Sequence, residues 1–80
     1  MKMHVEMSDQ SVRAAIRRHD ITLAGHVRFR IFGTLSCRSG LRMKRANRVF
    51  FSNEAEAFAL GFRPCGHCMR ASYLSWKADR

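Results

Sequence analysis

Apolar residues near the start of the chain recur at helical spacing, three and four positions apart, at Val12, Ala15 and Ile16. Ser8 is a suitable N-cap for this segment because its hydroxyl can accept a hydrogen bond from a first-turn amide. The pattern predicts one amphipathic helix that ends near Asp20. The Met-rich residues 1–7 show little periodicity and are predicted to form a loose arm.

The hydrophobic period changes to two after Ile21, which favours strands. Ala24 and Gly25 are predicted to form a turn, and the alternation over residues 26–32 predicts a half-buried strand with a basic outer face. Residues 48–51 predict a second strand. Adjacent side chains of a regular strand point to opposite faces, so its two phenylalanines are not expected to face inward together.

Two further helices are predicted in the second half of the chain. Asn53 with Glu56 three residues later resembles a capping box, and Gly61 is a good C-terminal cap for the same helix. The buried stripe of this helix is predicted to consist of Ala55, Phe58 and Ala59. A final helix after the last cysteine is predicted to carry on one face Met69, Tyr73 and Trp76.

Together these elements predict an α/β fold of the α+β type, with a small antiparallel sheet and flanking helices. At 80 residues, the chain is expected to form one compact domain, with an N-terminal arm and helix over residues 1–20 and the remainder over residues 21–80. The apolar stripes are accounted for within one chain, so we expect a monomer.

Cysteine usage and hydropathy predict the cellular context. The chain has three cysteines, opens without a signal-peptide pattern, and has no apolar run approaching the roughly 20 residues of a membrane helix. An odd number of cysteines fits metal-binding thiols in a reducing compartment better than a disulfide framework. The sequence therefore predicts a cytoplasmic protein that does not enter a membrane.

Positive charge is concentrated in the middle of the chain. The formal net charge is +9, and no acidic residue lies between Asp20 and Glu54. A stretch of one sign is typical of a surface that binds phosphates. The candidate nucleic-acid contacts are Arg28, Arg30, Arg38, Arg42, Lys44, Arg45 and Arg48.

The clearest chemical signal is the pair Cys65 and Cys68, which are separated by two residues. This spacing can place both thiolates on one side of a turn, as in half of a tetrahedral zinc site. Cys37 is the remaining cysteine and is therefore the third candidate ligand. The sequence predicts zinc as the cofactor.

The fourth ligand is not specified by spacing alone. His26 is the preferred candidate because it lies on or beside the strand that leads to Cys37, and a neutral imidazole would complete an ordinary site of three cysteines and one histidine. The alternatives are His67, His4 or a water molecule. A fold that has dispensed with metal and retains three thiols is a further alternative.

Two segments, NRVFFSNEAEA over residues 47–57 and LGFRPCGHC over residues 60–68, carry a more specific pattern. They resemble the metal-binding domain of the Ada DNA-repair protein family, which has an upstream cysteine pair, an N-x-V-x-F-F strand, a short Ala-rich helix and an A-G-[FY]-R-P-C-x-x-C motif. The resemblance covers roughly residues 31–76. It identifies residues 21–80 as an Ada-like metal-binding domain.

The resemblance implies a zinc ion held by four cysteines in a domain that binds the DNA backbone. In Ada, the first cysteine of an upstream C-x-x-x-C pair irreversibly takes a methyl group from a methylphosphotriester. When Cys37 is aligned with the second cysteine of that pair, the first falls at Gly33. Both the usual methyl acceptor and the usual fourth ligand are therefore missing from this chain.

Three functions follow from these observations. The preferred hypothesis is a zinc-binding module that binds the phosphate backbone of DNA without methyl transfer. The first alternative is an Ada-like suicide methyl acceptor in DNA repair with Cys37 as the nucleophile. The second is a structural or protein-interaction module whose basic face meets an acidic protein. The sequence contains no constellation typical of an ordinary turnover enzyme.

Overall fold

The computed structural model describes residues 1–38 and 42–79 of the chain. The five strands in this part are β1 (Lys2–Met3), β2 (Leu23–His26), β3 (Ile31–Thr34), β4 (Arg48–Phe51) and β5 (Arg63–Pro64). The α-helices whose bounds lie within the described residues are α1 (Asp9–Arg17), α2 (Glu54–Ala59) and α3 (Arg70–Ala78). Short 3-10 turns cover His4–Glu6 and Arg45–Asn47. Residues 39–41 of the predicted basic loop lie outside the described residues.

The strands form one sheet in the order β1-β4-β2-β3-β5. Neighbouring strands are antiparallel except β3 and β5, which run parallel at one edge. The predicted α+β class is confirmed, but the sheet is mixed rather than wholly antiparallel. In the described part of the chain, no helix is both long enough and apolar enough to cross a membrane.

The predicted turn and strand over residues 24–32 are reversed in the structure. Ala24 and Gly25 lie within β2, and residues 27–30 form the turn that leads to β3. The amide of Arg30 closes this turn by donating to the His26 carbonyl at 2.9 Å, and Arg30 has a φ of 58°. The alternating sequence was misleading because β2 pairs on both sides, with β3 and with β4, and must end at His26.

The N-terminal segment is ordered as a strand, and the prediction of a loose arm was wrong. Lys2 and Met3 pair with the outer edge of β4. The N-terminal ammonium donates to the Glu56 carboxylate at 2.7 Å, and Arg45 donates to the Asp9 carboxylate at 2.7 Å. The segment is held because an unpaired edge of β4 would otherwise leave backbone hydrogen-bonding groups without partners.

Local capping signals were read correctly. The Ser8 hydroxyl accepts a hydrogen bond from the Ser11 amide at 3.1 Å at the start of α1. The Asn53 side chain accepts from the Glu56 amide at 2.8 Å at the start of α2. Gly61, just beyond α2, has a φ of 85°, as expected for a left-handed C-terminal cap. These signals succeed because each depends on a few adjacent residues.

The buried face of α2 differs from the predicted stripe of Ala55, Phe58 and Ala59. Ala57 is fully buried, whereas those three residues are exposed. The Glu56 carboxylate accepts from the Ser52 amide at 2.7 Å, which orients the first turn of the helix. With only six residues, α2 has no full heptad to define its face, so contact with the sheet decides which side is buried.

The central sheet is covered on both faces, and this is why Phe50 and Phe51 are both buried. Phe50 packs on the side of α1, in a cluster with Ala15, Ile21 and Ala24. Phe51 packs on the other side, in a cluster with Leu23, Phe32, Val49, Ala57 and Phe62. The two side chains do point to opposite faces, as expected for a strand. They are both in the core because helices or loops cover each face.

We predict that Gly25→Ala destabilises the fold by about 1–3 kcal/mol. A Cβ at position 25 would lie 2.8 Å from the Ile31 carbonyl oxygen and 3.0 Å from the Phe51 ring. Strands on both sides prevent the backbone from moving away. Urea denaturation of the zinc-loaded protein measures the change in the free energy of unfolding.

Gly66→Ala is the matched control for this measurement. A Cβ at Gly66 would make an ordinary contact of 3.5 Å with the Tyr73 ring. We expect its stability to change by no more than about 0.5 kcal/mol. A Gly25→Ala protein as stable as the control would contradict the close packing of β2.

Candidate metal centre

Three cysteines meet at the edge of the sheet where β5 pairs with β3. The sulfur atoms of Cys37, Cys65 and Cys68 all lie within 4.8 Å of one another. The Cys37 and Cys65 sulfurs are 4.0 Å apart. Tetrahedral zinc with Zn–S bonds of about 2.3 Å separates its sulfurs by about 3.8 Å. The three thiols are therefore spaced to serve as ligands of one zinc ion.

Backbone hydrogen bonds place each cysteine. The Cys65 amide donates to the Phe32 carbonyl at 2.7 Å and so continues the parallel pairing of β5 with β3. The Cys37 amide donates to the Thr34 carbonyl at 3.2 Å, which turns the chain back towards the site after β3. The turn from Cys65 to Cys68 then leads into α3. Two separate segments, one after β3 and one between β5 and α3, thus converge on one point.

The electrostatics of the site follow from burial and from nearby amides. Burial raises the pKa of the Cys68 thiol, and the adjacent cysteines add to this effect. The Thr34 amide donates to the Cys68 sulfur at 3.4 Å and partly opposes the shift. The His67 amide donates to the Cys65 sulfur at 3.5 Å. A metal that binds here must displace thiol protons, while the amides stabilise the thiolates that result.

The backbone of Gly33 lies directly against the cysteine cluster. A Cβ at position 33 would lie 2.6 Å from the Cys68 sulfur and 3.2 Å from the Cys65 Cβ. It would also lie 3.8 Å from the Cys37 Cβ. A side chain at this position would therefore point into the cluster. The absence of a side chain at Gly33 lets β3 pass directly against the cysteines.

His26 lies outside the cluster in the present arrangement. Its Nδ1 accepts from the amides of Arg28 and Phe29 at 3.2 and 3.3 Å, and its ring stacks on Phe29 with centroids 4.3 Å apart. A neutral imidazole that accepts at Nδ1 carries its proton on Nε2, so neither nitrogen offers a lone pair to a metal. Ligation of zinc by His26 would require the ring to release both amides.

The other two candidate histidines, His4 and His67, also lie outside the cluster. His67 is exposed in the turn between Cys65 and Cys68, and lines a cavity together with Cys37. His4 packs against Phe50, with ring centroids 5.1 Å apart. Burial lowers the pKa of His4, and the nearby arginines lower it further. The structure thus brings the three cysteines together without placing a histidine nitrogen among them.

An open cavity of about 390 Å³ lies beside the cysteines. Its walls include Gly33, Cys37 and Cys65 on the metal side, with Phe29 and Arg63 elsewhere on the lining. The Arg63 guanidinium lies over the rings of α3, 5.3 Å from the centroid of Tyr73 and 5.8 Å from that of Trp76. The cluster is therefore accessible from solvent through a recess with one positive wall.

The candidate nucleic-acid contacts fall into two groups. The side chains exposed on the surface are Arg28, Arg30, Arg38, Arg42 and Lys44. Arg45 is also exposed, but its guanidinium donates to the Asp9 carboxylate and to the His4 and Met7 carbonyls. Arg48 is half-buried, donates to the Leu35 carbonyl at 3.1 Å, and has its pKa lowered by burial. The last two arginines stabilise the fold, and the first group remains available to a partner.

Sequence reasoning missed Phe29 and Arg63 as parts of the site. Phe29 was assigned to the core of a strand, but it lies in the β2–β3 turn and is 70% exposed. Its alternation with arginines imitates a strand, so no local signal distinguishes the two cases. Arg63 lies two residues before Cys65 in the cysteine motif. This proximity was a signal that could have predicted Arg63 to line the site.

Comparison with known proteins agrees with this geometry. The family described as the metal-binding domain of Ada matches residues 11–70. The chain belongs to this family. The DNA methyl phosphotriester repair domain of E. coli Ada is similar in structure, with 32% sequence identity and a TM-score of 0.55 over 80% of this chain and 74% of that one. No curated protein matches the chain significantly.

Membership of the Ada metal-binding family confirms the resemblance read from the cysteine motif. Together with the cluster of Cys37, Cys65 and Cys68, it identifies zinc as the metal. The family match begins inside α1, whereas the sequence pattern alone suggested a start near residue 31. The Ada-like module therefore includes part of the first helix.

We predict that Cys65→Ala abolishes zinc binding and that His26→Ala retains one zinc per chain. Cys65 is the most buried of the three thiols, whereas His26 Nδ1 accepts hydrogen bonds from two amides of the β2–β3 turn. Native mass spectrometry of protein purified without chelator measures the stoichiometry. Loss of zinc from the His26→Ala protein, with its fold intact by circular dichroism, would instead establish His26 as the fourth ligand.

Proposed function

We propose that this Ada-family domain binds the phosphate backbone of DNA and does not accept a methyl group. The observation that carries this proposal is the glycine at position 33. Gly33 lies against all three cysteines, and a Cβ there would meet the Cys68 sulfur and the Cβ atoms of Cys65 and Cys37. In the family resemblance the same position holds the methyl-accepting cysteine. The chain thus retains a zinc site and lacks the thiol that would react.

The role of zinc in this proposal is structural. When bound, zinc would keep the three sulfurs as thiolates and tie together the segments that carry them. Arg38 directly follows Cys37, and Arg63 lies two residues before Cys65. Both arginines are therefore close in the chain to metal ligands. A small domain gains much of its stability from such a metal. The metal would therefore fix the positions of cations on the surface.

The distribution of exposed cations supports contact with a polyanion. Arg28 and Arg30 belong to the β2–β3 turn, and the Val27 amide donates to the Asn47 carbonyl at 2.9 Å, so this turn lies beside the basic segment that precedes β4. Arg38 lines a second cavity with Cys37 and Cys68. All three side chains are exposed, and the sequence has no acidic residue between Asp20 and Glu54 to oppose them.

Binding through phosphates would be strongly salt-dependent and largely independent of sequence, because phosphate contacts position a protein without reading bases. The similar E. coli domain is described as a repair domain for DNA methyl phosphotriesters, in which the altered group is itself part of the backbone. We propose the same class of target here, the DNA backbone, without the repair step.

We predict that the zinc-loaded protein binds duplexes of unrelated sequence with similar affinity, weakening steeply as salt increases. Arg38→Ala should reduce the slope of log K against log salt by about 0.9, the value for one lost phosphate contact. Fluorescence anisotropy over a salt series measures both quantities.

Arg17→Ala is the matched control, since it removes an exposed arginine from the end of α1, away from the cysteine cluster. We expect its slope to equal that of the wild type. Absence of DNA binding, or binding that ignores salt, would contradict the proposal and favour the protein-interaction alternative.

We predict that the wild-type mass is unchanged after exposure to methylphosphotriester DNA, and that Gly33→Cys gains a methyl group. The introduced thiolate would form a sulfur–carbon bond as the oxygen–carbon bond breaks, and the phosphodiester anion would leave with the electron pair. The Cys68 sulfur must shift to admit the new Cβ, so zinc content is measured alongside intact mass.

Gly33→Ala controls for the added Cβ without a thiol and should gain no mass. Methylation of the wild type would overturn the proposal. If peptide mapping then placed the methyl group on Cys37, the alternative of a Cys37 acceptor would be correct.

A further inference from the structure

The turn between β2 and β3 presents an aromatic side chain to solvent. Phe29 is 70% exposed, the highest value among the exposed large hydrophobic side chains in the described part of the chain. With this much of its apolar surface left in water, Phe29 contributes little hydrophobic stabilisation to the fold. Its ring is therefore available for contact with a partner.

The structure holds Phe29 in place from beneath. The His26 ring stacks on it at 4.3 Å with an interplanar angle of 25°. His26 Nδ1 also accepts from the amides of Arg28 and Phe29, and the Arg30 amide closes the turn onto the His26 carbonyl. One face of the phenyl ring is thus covered by imidazole, and its orientation is set before any partner binds. Such preorganisation lowers the entropic cost of binding.

The surroundings of Phe29 are positive. Arg28 is exposed beside it, and Arg30 is exposed with its guanidinium 5.3 Å from the Phe62 ring centroid. Phe29 also lines the cavity beside the cysteines, together with Arg63. An apolar protein partner would have to desolvate these cations without compensation. A partner that combines flat apolar rings with negative charge matches both features, and nucleic acid has this chemistry.

We propose that Phe29 stacks on an unpaired base, so that the domain prefers single-stranded or locally unpaired DNA to a regular duplex. This inference rests on the DNA binding proposed above and adds a base contact to it. In a regular duplex the faces of the bases are covered by their neighbours, and an aromatic side chain at a turn would meet only sugar and phosphate. Unpaired bases leave a face available to an aromatic ring, whatever their sequence.

Within this proposal, Arg28 contacts the phosphates of the same strand, and His26 is a positioning residue. The cavity beside Phe29 offers space next to the ring for the stacked base. The preference would be for DNA structure rather than sequence, because every base has a stacking face.

The test compares three fluorescent DNAs of one sequence: a single strand, a duplex, and a duplex with one bulged nucleotide. We expect Phe29→Ala to bind the single strand and the bulged duplex roughly 5- to 100-fold more weakly, the loss of one stacked base. Its affinity for the regular duplex should be unchanged. The salt slope should also be unchanged, since no charge is removed.

Two variants make the result specific. Phe29→Trp retains a stacking ring and should restore the preference for unpaired DNA. Phe58→Ala removes another exposed phenylalanine, 43% exposed on α2, and should leave all three affinities at the wild-type value. Zinc content and thermal midpoint confirm that each variant is folded. His26→Ala should reduce the preference for unpaired DNA less than Phe29→Ala does, because the phenyl ring remains but is no longer held in place. Phe29→Trp should leave the preference unchanged.

Equal affinities of wild type and Phe29→Ala for the unpaired DNAs would overturn the stacking contact while leaving backbone binding intact. If Phe29→Ala lost affinity equally for all three DNAs, the stacking contact would be overturned as well. The β2–β3 turn would then contact the sugar–phosphate backbone instead of a base. If the wild type bound none of the DNAs, the proposed function and this inference would both fail.

Discussion

The parallel pairing of β5 with β3 is the contact on which the rest of the structure depends. Its register sets Ile31 opposite Arg63 and Phe32 opposite Pro64, and the Cys65 amide extends it by donating to the Phe32 carbonyl at 2.7 Å. This pairing carries the cysteine turn onto the end of β3. Because zinc would bind sulfurs from the segments on both sides of the pairing, metal binding and the closure of this sheet edge stabilise each other.

The same pairing makes position 33 decisive. The backbone of β3 passes so close to the cysteines that any side chain at Gly33 would enter the cluster. A glycine here is compatible with a three-cysteine site and leaves no side chain at this position of the strand. The cations are divided by the same geometry. Arg45 is engaged by hydrogen bonds to the N-terminal segment and Arg48 is half-buried, while Arg28 and Arg38 are exposed on the surface.

Much of the fold was predictable where a signal depends on neighbouring residues. The caps at Ser8 and Asn53 and the stop at Gly61 each involve one turn of backbone, and they were identified correctly. The errors arose where distant segments decide. Residues 27–30 alternate like a strand but form a turn, because β2 is paired on both sides and ends at His26. The N-terminal arm forms a strand because its backbone pairs with the outer edge of β4.

The amino-acid sequence by itself determined the family, the α+β class and the three thiols that can bind zinc, since these follow from motif spacing and short-range chemistry. Only the tertiary structure decided which side chains are available to a metal or a partner. It directs His26 Nδ1 towards the amides of the β2–β3 turn, exposes Phe29 to solvent, and places Gly33 against the cysteines. The physical reason is that each of these outcomes depends on contacts between segments distant in the chain, and local periodicity carries no information about such contacts.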